Sequence, residues 1–275
     1  MYQPFVLVVA GLLAAAPTLP AAPNRAETPA TSKKPVVRPV RKAPAVVAKT
    51  KAASVNALSS RKMAFFKRVN VAPLLRFNAA EGNNIFNGFY SYDYWRLEFV
   101  LTSVKRDSEH PNVYYVRGKS RHHRKVTPFS GTITFTDYLA LAKPNTSDLP
   151  HQPWQAATIS GTFAFQEAGG RRGTFSGEVD MDIAPDKERG VQTWCCAADN
   201  ETRGGGILFE GQWRSGKEQV PVIWKDNIFG LARQILTDFE IGERDVHINR
   251  KYAARGWDTY WENEEWWAEK PLARR

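Results

Sequence analysis

The sequence predicts a mostly β protein: an antiparallel meander of about eight strands that closes into a barrel or a tightly curved sandwich. Three observations carry this. First, five stretches repeat one pattern, a large apolar residue, any residue, Gly, any residue, a large residue: Phe86-Asn87-Gly88-Phe89-Tyr90, Phe129-Ser130-Gly131-Thr132-Ile133, Ile159-Ser160-Gly161-Thr162-Phe163, Phe175-Ser176-Gly177-Glu178-Val179 and Phe209-Glu210-Gly211-Gln212-Trp213. Second, the runs around them alternate apolar and polar residues. Third, turn-forming clusters separate the runs. Side chains on a strand alternate between faces, so the two apolar residues and the glycine of each pattern share a face. A glycine inside a strand marks a bend, a bulge or a close backbone approach. Five of them imply a sheet that coils strongly around one core.

The elements follow in order. After the stretch at 86–90, Trp95, Leu97, Phe99 and Leu101 alternate with Arg96, Glu98, Val100 and Thr102. A turn at 107–112 leads to Val113-Tyr114-Tyr115-Val116. Residues 129–137, 157–165 and 173–183 each show one apolar and one polar face, the pattern of an antiparallel strand with one wet side. In the last of these, Glu178, Asp180 and Asp182 form an acidic row that reads as solvated. Residues 206–213 and 220–224 complete the count. Ala168-Gly169-Gly170-Arg171 and Ser215-Gly216-Lys217 are turns, and the longer segments 140–156 and 184–203 read as loops at a barrel rim.

Beyond Asp226 the period changes. Ile228, Leu231, Ala232, Ile235, Leu236 and Phe239 recur at three- and four-residue steps. This predicts an amphipathic helix over 227–239, with Asp226 or Asn227 as N-cap and Gly242 past its end. Arg250-Lys251-Tyr252-Ala253-Ala254-Arg255 is helix-like and closed by Gly256. The chain ends in an aromatic and acidic segment.

Ahead of the β region lie two segments of different composition. Residues 5–16 are an apolar run that suits the core of a secretory signal and is short for a membrane span of about 20 residues. Residues 1–23 therefore read as a signal peptide, and the protein as exported to a periplasmic, cell-envelope or extracellular location. The signal is atypical, because no Lys or Arg precedes the apolar run. Residues 24–62 hold ten basic residues against Glu27 alone, in a background of Pro, Ala and Val. Such a stretch cannot bury a core and reads as a disordered linker. It carries nearly all of the chain's net charge of +10, leaving 63–275, the predicted globular domain, near +1. The basic balance thus belongs to the linker, which can touch anionic surfaces. A nucleic-acid partner is disfavoured, since nothing in 63–275 resembles a nucleic-acid-binding module.

The glycine-punctuated meander with its following helix, over roughly 84–240, resembles the lipocalin and avidin (calycin) barrels. The five glycine patterns and the helix 227–239 carry the likeness. It implies a closed barrel. Gly88 is followed by Phe89-Tyr90, where a lipocalin opens on Gly-x-Trp. Phe209 to Lys217 is similar to one MORN unit, but the other glycine stretches lack its trailing Gly-Lys and follow no period, which excludes a repeat array.

Candidate chemistry is sparse. Cys195-Cys196 is an adjacent pair and excludes a disulfide framework; it reads as two thiols in a loop. His122-His123, flanked by Arg121, Arg124 and Lys125, reads as an exposed basic turn. Gly204-Gly205-Gly206 precedes a strand rather than a helix, so it is no phosphate cradle. No nucleophile elbow or zinc spacing occurs, and no metal or cofactor is expected. The candidate ligand-binding residues are Trp257, Tyr260, Trp261, Glu262, Glu265, Trp266 and Trp267, because Trp rings beside carboxylates hold sugars or cationic groups. The same rings also suit a role as glue against the barrel.

The sequence therefore predicts an exported, non-enzymatic module. It either binds a small apolar ligand inside the barrel or contacts an envelope glycan or protein. A hollow interior goes with the first reading, a filled interior and an exposed aromatic patch with the second. The alternative is a glycan-acting envelope enzyme using carboxylates near the terminal Trp cluster, which needs two of them about 5–10 Å apart.

Overall fold

The computed structural model describes residues 58–78, 85–140, 155–169, 173–194, 201–237, 239, 248–262 and 265–268, all within the unit Ala53–Arg275. The apolar run 5–16, most of the basic linker, most of the loop 140–156, Cys195-Cys196 and Gly242 lie outside the described residues. Among the described residues no helix is long and apolar enough to cross a membrane.

Nine strands form one antiparallel sheet: β1 (Ile85–Tyr90), β2 (Trp95–Arg106), β3 (Val113–His122), β4 (Lys125–Ala140), β5 (Ala157–Glu167), β6 (Thr174–Asp186), β7 (Gly190–Thr193), β8 (Ile207–Ser215) and β9 (Glu218–Lys225). Eight of them close a barrel in sequence order. β5 pairs with β6, β6 with β8, and β9 returns to β1 with Gly88 opposite Trp224. The predicted eight strands are these eight. The ninth, β7, is a short partner for the part of β6 that runs past the barrel, from Ile183 to Asp186, within the predicted loop 184–203.

The glycines act as the pattern implied. A Cβ at Gly88, Gly131, Gly161, Gly177 or Gly211 would overlap a carbonyl oxygen of the neighbouring strand. The strands therefore close on one another only where a side chain is missing. Aromatic residues occupy the matching positions across the ladder: Trp224 opposite Gly88, Phe165 opposite Gly131, Phe135 opposite Gly161 and Phe163 opposite Gly177. Rings next to glycines fill the space that the glycines leave, a device that also pins register.

The interior is filled. Trp224 sits at its centre, stacked on Phe99 at 4.2 Å and Phe209 at 5.1 Å, with Phe163 edge-on at 5.0 Å. Phe86, Phe129, Phe165, Phe175 and Trp213 complete a continuous aromatic core. Of the two interiors left open above, hollow or filled, the barrel has the filled one.

One end of this core is stoppered from the N-terminal side. α1 (Ser60–Arg68) and α2 (Ala72–Leu75) insert Phe65, Phe66, Val69, Val71 and Leu75 among the barrel residues. Phe65 stacks on Tyr138 at 4.1 Å, and the Val71 N–H donates to the Tyr114 hydroxyl. Arg106 donates to the carbonyls of Phe66, Lys67 and Val69, satisfying acceptors at the C-terminus of α1. α1 begins at Ser60, inside the stretch 24–62 read as linker, because Ser59 caps it by accepting from Lys62 N–H.

A second core lies outside the barrel. α3 (Phe229–Ile235) packs Leu231 and Ala232 against the outward residues Phe89 and Leu208, together with Ile228, Leu236, Phe239, Tyr252 and Trp257. The apolar stripe was read correctly, but the helix is shorter than the predicted 227–239. Leu236 is extended (φ −121°), which ends the helix, while Asn227 Oδ1 accepts from Phe229 N–H at its start. The chain resumes with α4 (Arg250–Tyr252), which Asn249 caps by accepting from Lys251 N–H. The helical run breaks at Arg255 and Gly256 (φ +91°), where the closing glycine was expected.

Candidate functional site

The C-terminal segment runs across the outer wall of β1, β2 and β3, and a cleft of about 440 Å³ opens between them. Its floor comes from the strands. Asn87, Arg96 and Glu98 point away from the barrel, yet Arg96 is only 6 % exposed and Glu98 3 %. Burying charge is costly unless each group is paired and hydrogen-bonded. Here Glu98 accepts from Arg96 Nη2 at 2.8 Å and from Arg121 Nε and Nη2 at 2.5 and 2.8 Å. Arg96 also donates to Asn87 Oδ1 at 3.0 Å and to the Gly256 carbonyl at 3.3 Å.

The wall comes from the C-terminal segment, and the same guanidiniums hold it. Arg96 lies over the Tyr260 ring at 5.0 Å, and Arg121 over the Trp266 ring at 5.0 Å. Lys119 Nζ donates to the Trp267 carbonyl at 2.6 Å, and Arg124 pairs with Asp258 at 2.7 Å. Phe77, which follows α2, meets Trp267 at 5.0 Å between ring centres. The cationic outer face of β2 and β3 thus anchors an aromatic strap by cation–π and charge-assisted contacts. Burial pushes the Tyr260 phenol up to about 12, with Glu98 adding to the rise and Arg96 opposing it.

Six of the seven candidate residues line this cleft: Tyr260, Trp261, Glu262, Glu265, Trp266 and Trp267. Trp257 does not line it, although its ring meets that of Tyr260 at 5.8 Å. It is fully buried in the second core, where its Nε1–H donates to the Tyr94 carbonyl at 2.9 Å. Trp266 is buried and Trp267 half-buried, so these two are part glue. Trp261 is 55 % exposed and packs edge-on against Tyr260 at 4.6 Å. The Glu262 and Glu265 side chains have no partner among the described residues, so their oxygens are free to accept.

Other candidate groups prove structural. Of the pair His122-His123, His123 is exposed in the turn between β3 and β4, as expected, whereas His122 is not. His122 lies at the hairpin end of the barrel, stacked on Tyr90 at 4.7 Å, with Nε2 3.6 Å from Glu167 Oε1. Glu167 also accepts from Trp213 Nε1 and Ser120 Oγ at 2.9 and 3.2 Å. Burial pushes the Glu167 carboxyl up, but these hydrogen bonds and His122 outweigh it and leave the group below its ordinary value. The acidic row is not wet throughout: Asp182 is fully buried beside Trp194, Thr202 and Gly206 and accepts from Thr158 and Thr202 hydroxyls at 2.6 and 2.8 Å. Beside it, buried Lys225 donates to the carbonyls of Thr202 and Gly205, fastening the glycine run; burial lowers its pKa. Among the described residues no three His, Cys, Asp or Glu side chains are grouped to hold a metal ion.

The floor residues Arg96, Glu98 and Arg121 were not foreseen. Arg96 and Glu98 alternate with Leu97 and Phe99 and so look solvated, Arg121 falls in the stretch read as a basic turn, and the segment over Arg96 begins 160 positions after it. No protein-family profile matches the chain, no curated protein matches it in sequence, and no solved structure matches its fold. The closed eight-stranded antiparallel barrel is compatible with calycin architecture, and no family follows from that.

Proposed function

We propose that this chain is a non-enzymatic binding module that holds a carbohydrate on the outside of its barrel, in the cleft under Trp261. The observation that carries the reading is the combination in one cleft of an exposed indole and two carboxylates with no partner among the described residues. A sugar ring presents an apolar face to stack and a rim of hydroxyls that donate, and the indole answers the first and the carboxylates the second. The aromatic filling of the lumen supports an external seat over a small apolar ligand within. The apolar run 5–16 and the basic linker motivate an envelope or extracellular setting, with an envelope glycan as partner.

The enzymatic alternative draws little from the cleft. Both Glu98 oxygens already accept from guanidiniums, so Glu98 serves to hold the cleft floor together. The test is calorimetric titration with cellohexaose and chitohexaose. Trp261→Ala is expected to weaken binding by about tenfold, as loss of one aromatic stacking contact would, with an unchanged thermal midpoint. Binding equal to the unaltered protein, or slow cleavage of either sugar, would overturn the reading.

A further inference from the structure

A second concave surface lies on the outer wall of β2, β3 and β4, with a volume of about 470 Å³. Strand register sets its lining as two rows. Ser103 pairs with Arg117, and Arg117 with Ser130; Lys105 pairs with Tyr115, and Tyr115 with Thr132. The β2 ladder shifts register between Leu101 and Ser103, a bulge that brings Ser103 and Lys105 onto the outer face. Each row places an aromatic or a cation between hydroxyls or beside them, at the spacing of about 4.8 Å between neighbouring strands. Lys105 and Arg117 are diagonal neighbours, with Cα atoms about 7–8 Å apart.

Three features distinguish this groove from an ordinary polar sheet face. Its lining holds two cations and no carboxylate. Neither Lys105 nor Arg117 has a side-chain partner among the described residues, in a domain whose other guanidiniums mostly grip acids or carbonyls. Between them Tyr115 is 53 % exposed, large for an outward aromatic. Its phenol is steadied by Asp107 at the groove's end. That carboxylate is itself engaged by the backbone N–H groups of Glu109 and His110 at 2.8 and 2.7 Å.

We propose that this groove is a second binding site, for an anionic polysaccharide carrying uronate carboxylates. Arg117 and Lys105 take carboxylates of two sugar units, Tyr115 stacks on a ring, and Ser103, Ser130 and Thr132 meet hydroxyls. A nucleic acid fits less well, because it is held through many phosphate contacts and the groove offers two cations.

The experiment is calorimetry on the full chain with trigalacturonate, neutral trigalactose and phosphatidylglycerol vesicles. The ten basic residues of 24–62 give every version the same background for anions, so the groove is read from the difference between variants. The double variant Lys105→Ser, Arg117→Ser is expected to lose about tenfold or more in trigalacturonate affinity, as two charge-assisted hydrogen bonds would imply. Tyr115→Ala loses less. Both keep the thermal midpoint, since all three side chains are exposed. Trigalacturonate bound equally by the double variant and the unaltered chain, or not bound at all, would overturn the proposal. So would a double-variant loss seen with vesicles but not with trigalacturonate.

Discussion

Arg121 grips Glu98 through two nitrogens on the outside of the barrel, Nε to Oε2 at 2.5 Å and Nη2 to Oε1 at 2.8 Å. The fork is nearly buried, and Arg96 completes it from the other side. Removing one partner of such a cluster leaves charge buried without compensation, at a cost of about 3–5 kcal/mol. Glu98→Ala is therefore expected to lose about that much stability in urea denaturation. A loss below about 1 kcal/mol would show that the strap over the cluster opens readily to water.

Gly131 faces Phe165 across the β4–β5 ladder, and a Cβ there would overlap the Ala164 carbonyl oxygen. Even Gly131→Ala should force the strands apart. Overpacking of this kind costs on the order of 1–3 kcal/mol. A thermal midpoint unchanged by Gly131→Ala would mean that the barrel corner is looser than the backbone spacing implies.

The terminal tryptophans divide by role. Trp257 is fully buried, so Trp257→Ala should cost about 3–5 kcal/mol. Trp261→Ala should cost under about 1 kcal/mol, because most of that ring is already in water. Cutting the chain after Gly256 removes both, and would unfold the second core rather than isolate the cleft. Equal costs for the two substitutions would contradict this division.

Tyr260 links the cleft to alkaline pH. Its phenol ionises near 12 in the folded protein against an ordinary 10.0. A raised value means that its contribution is fully present below pH 10 and is lost as pH rises through 12. The two-unit gap corresponds to at most about 2–3 kcal/mol. Tyr260→Phe should flatten the stability curve between those limits, measured by denaturant midpoints from pH 9 upward. A curve of unchanged slope would place Tyr260 in water.

Much of the fold was legible because it rests on local pattern. Alternation gave the strands, and the glycines at 88, 131, 161, 177 and 211 gave the coiling, since backbone approach needs a missing side chain whatever the partner. What stayed hidden depends on distant segments. Phe65, Phe66 and Val69 form too short an apolar stripe to announce a plug. Arg96, Glu98 and Asp182 sit at polar positions of well-formed strands, and only segments far along the chain bury them. His122 looked solvated among Arg121, Arg124 and Lys125, although strand alternation turns it inward onto Tyr90. The candidate rings were legible as a group; which of them pack and which stand open depends on the arginines beneath.

A glycan held outside a filled barrel touches the cleft indoles and leaves the lumen indoles alone. The most direct measurement is a ¹H–¹⁵N spectrum of the indole N–H groups during titration with chitohexaose or cellohexaose. The signals of Trp261, Trp266 and Trp267 are expected to shift together while those of Trp213 and Trp224 stay in place. Early movement of Trp224 or Trp213, with Trp261 unmoved, would put the ligand in the lumen and contradict the external seat.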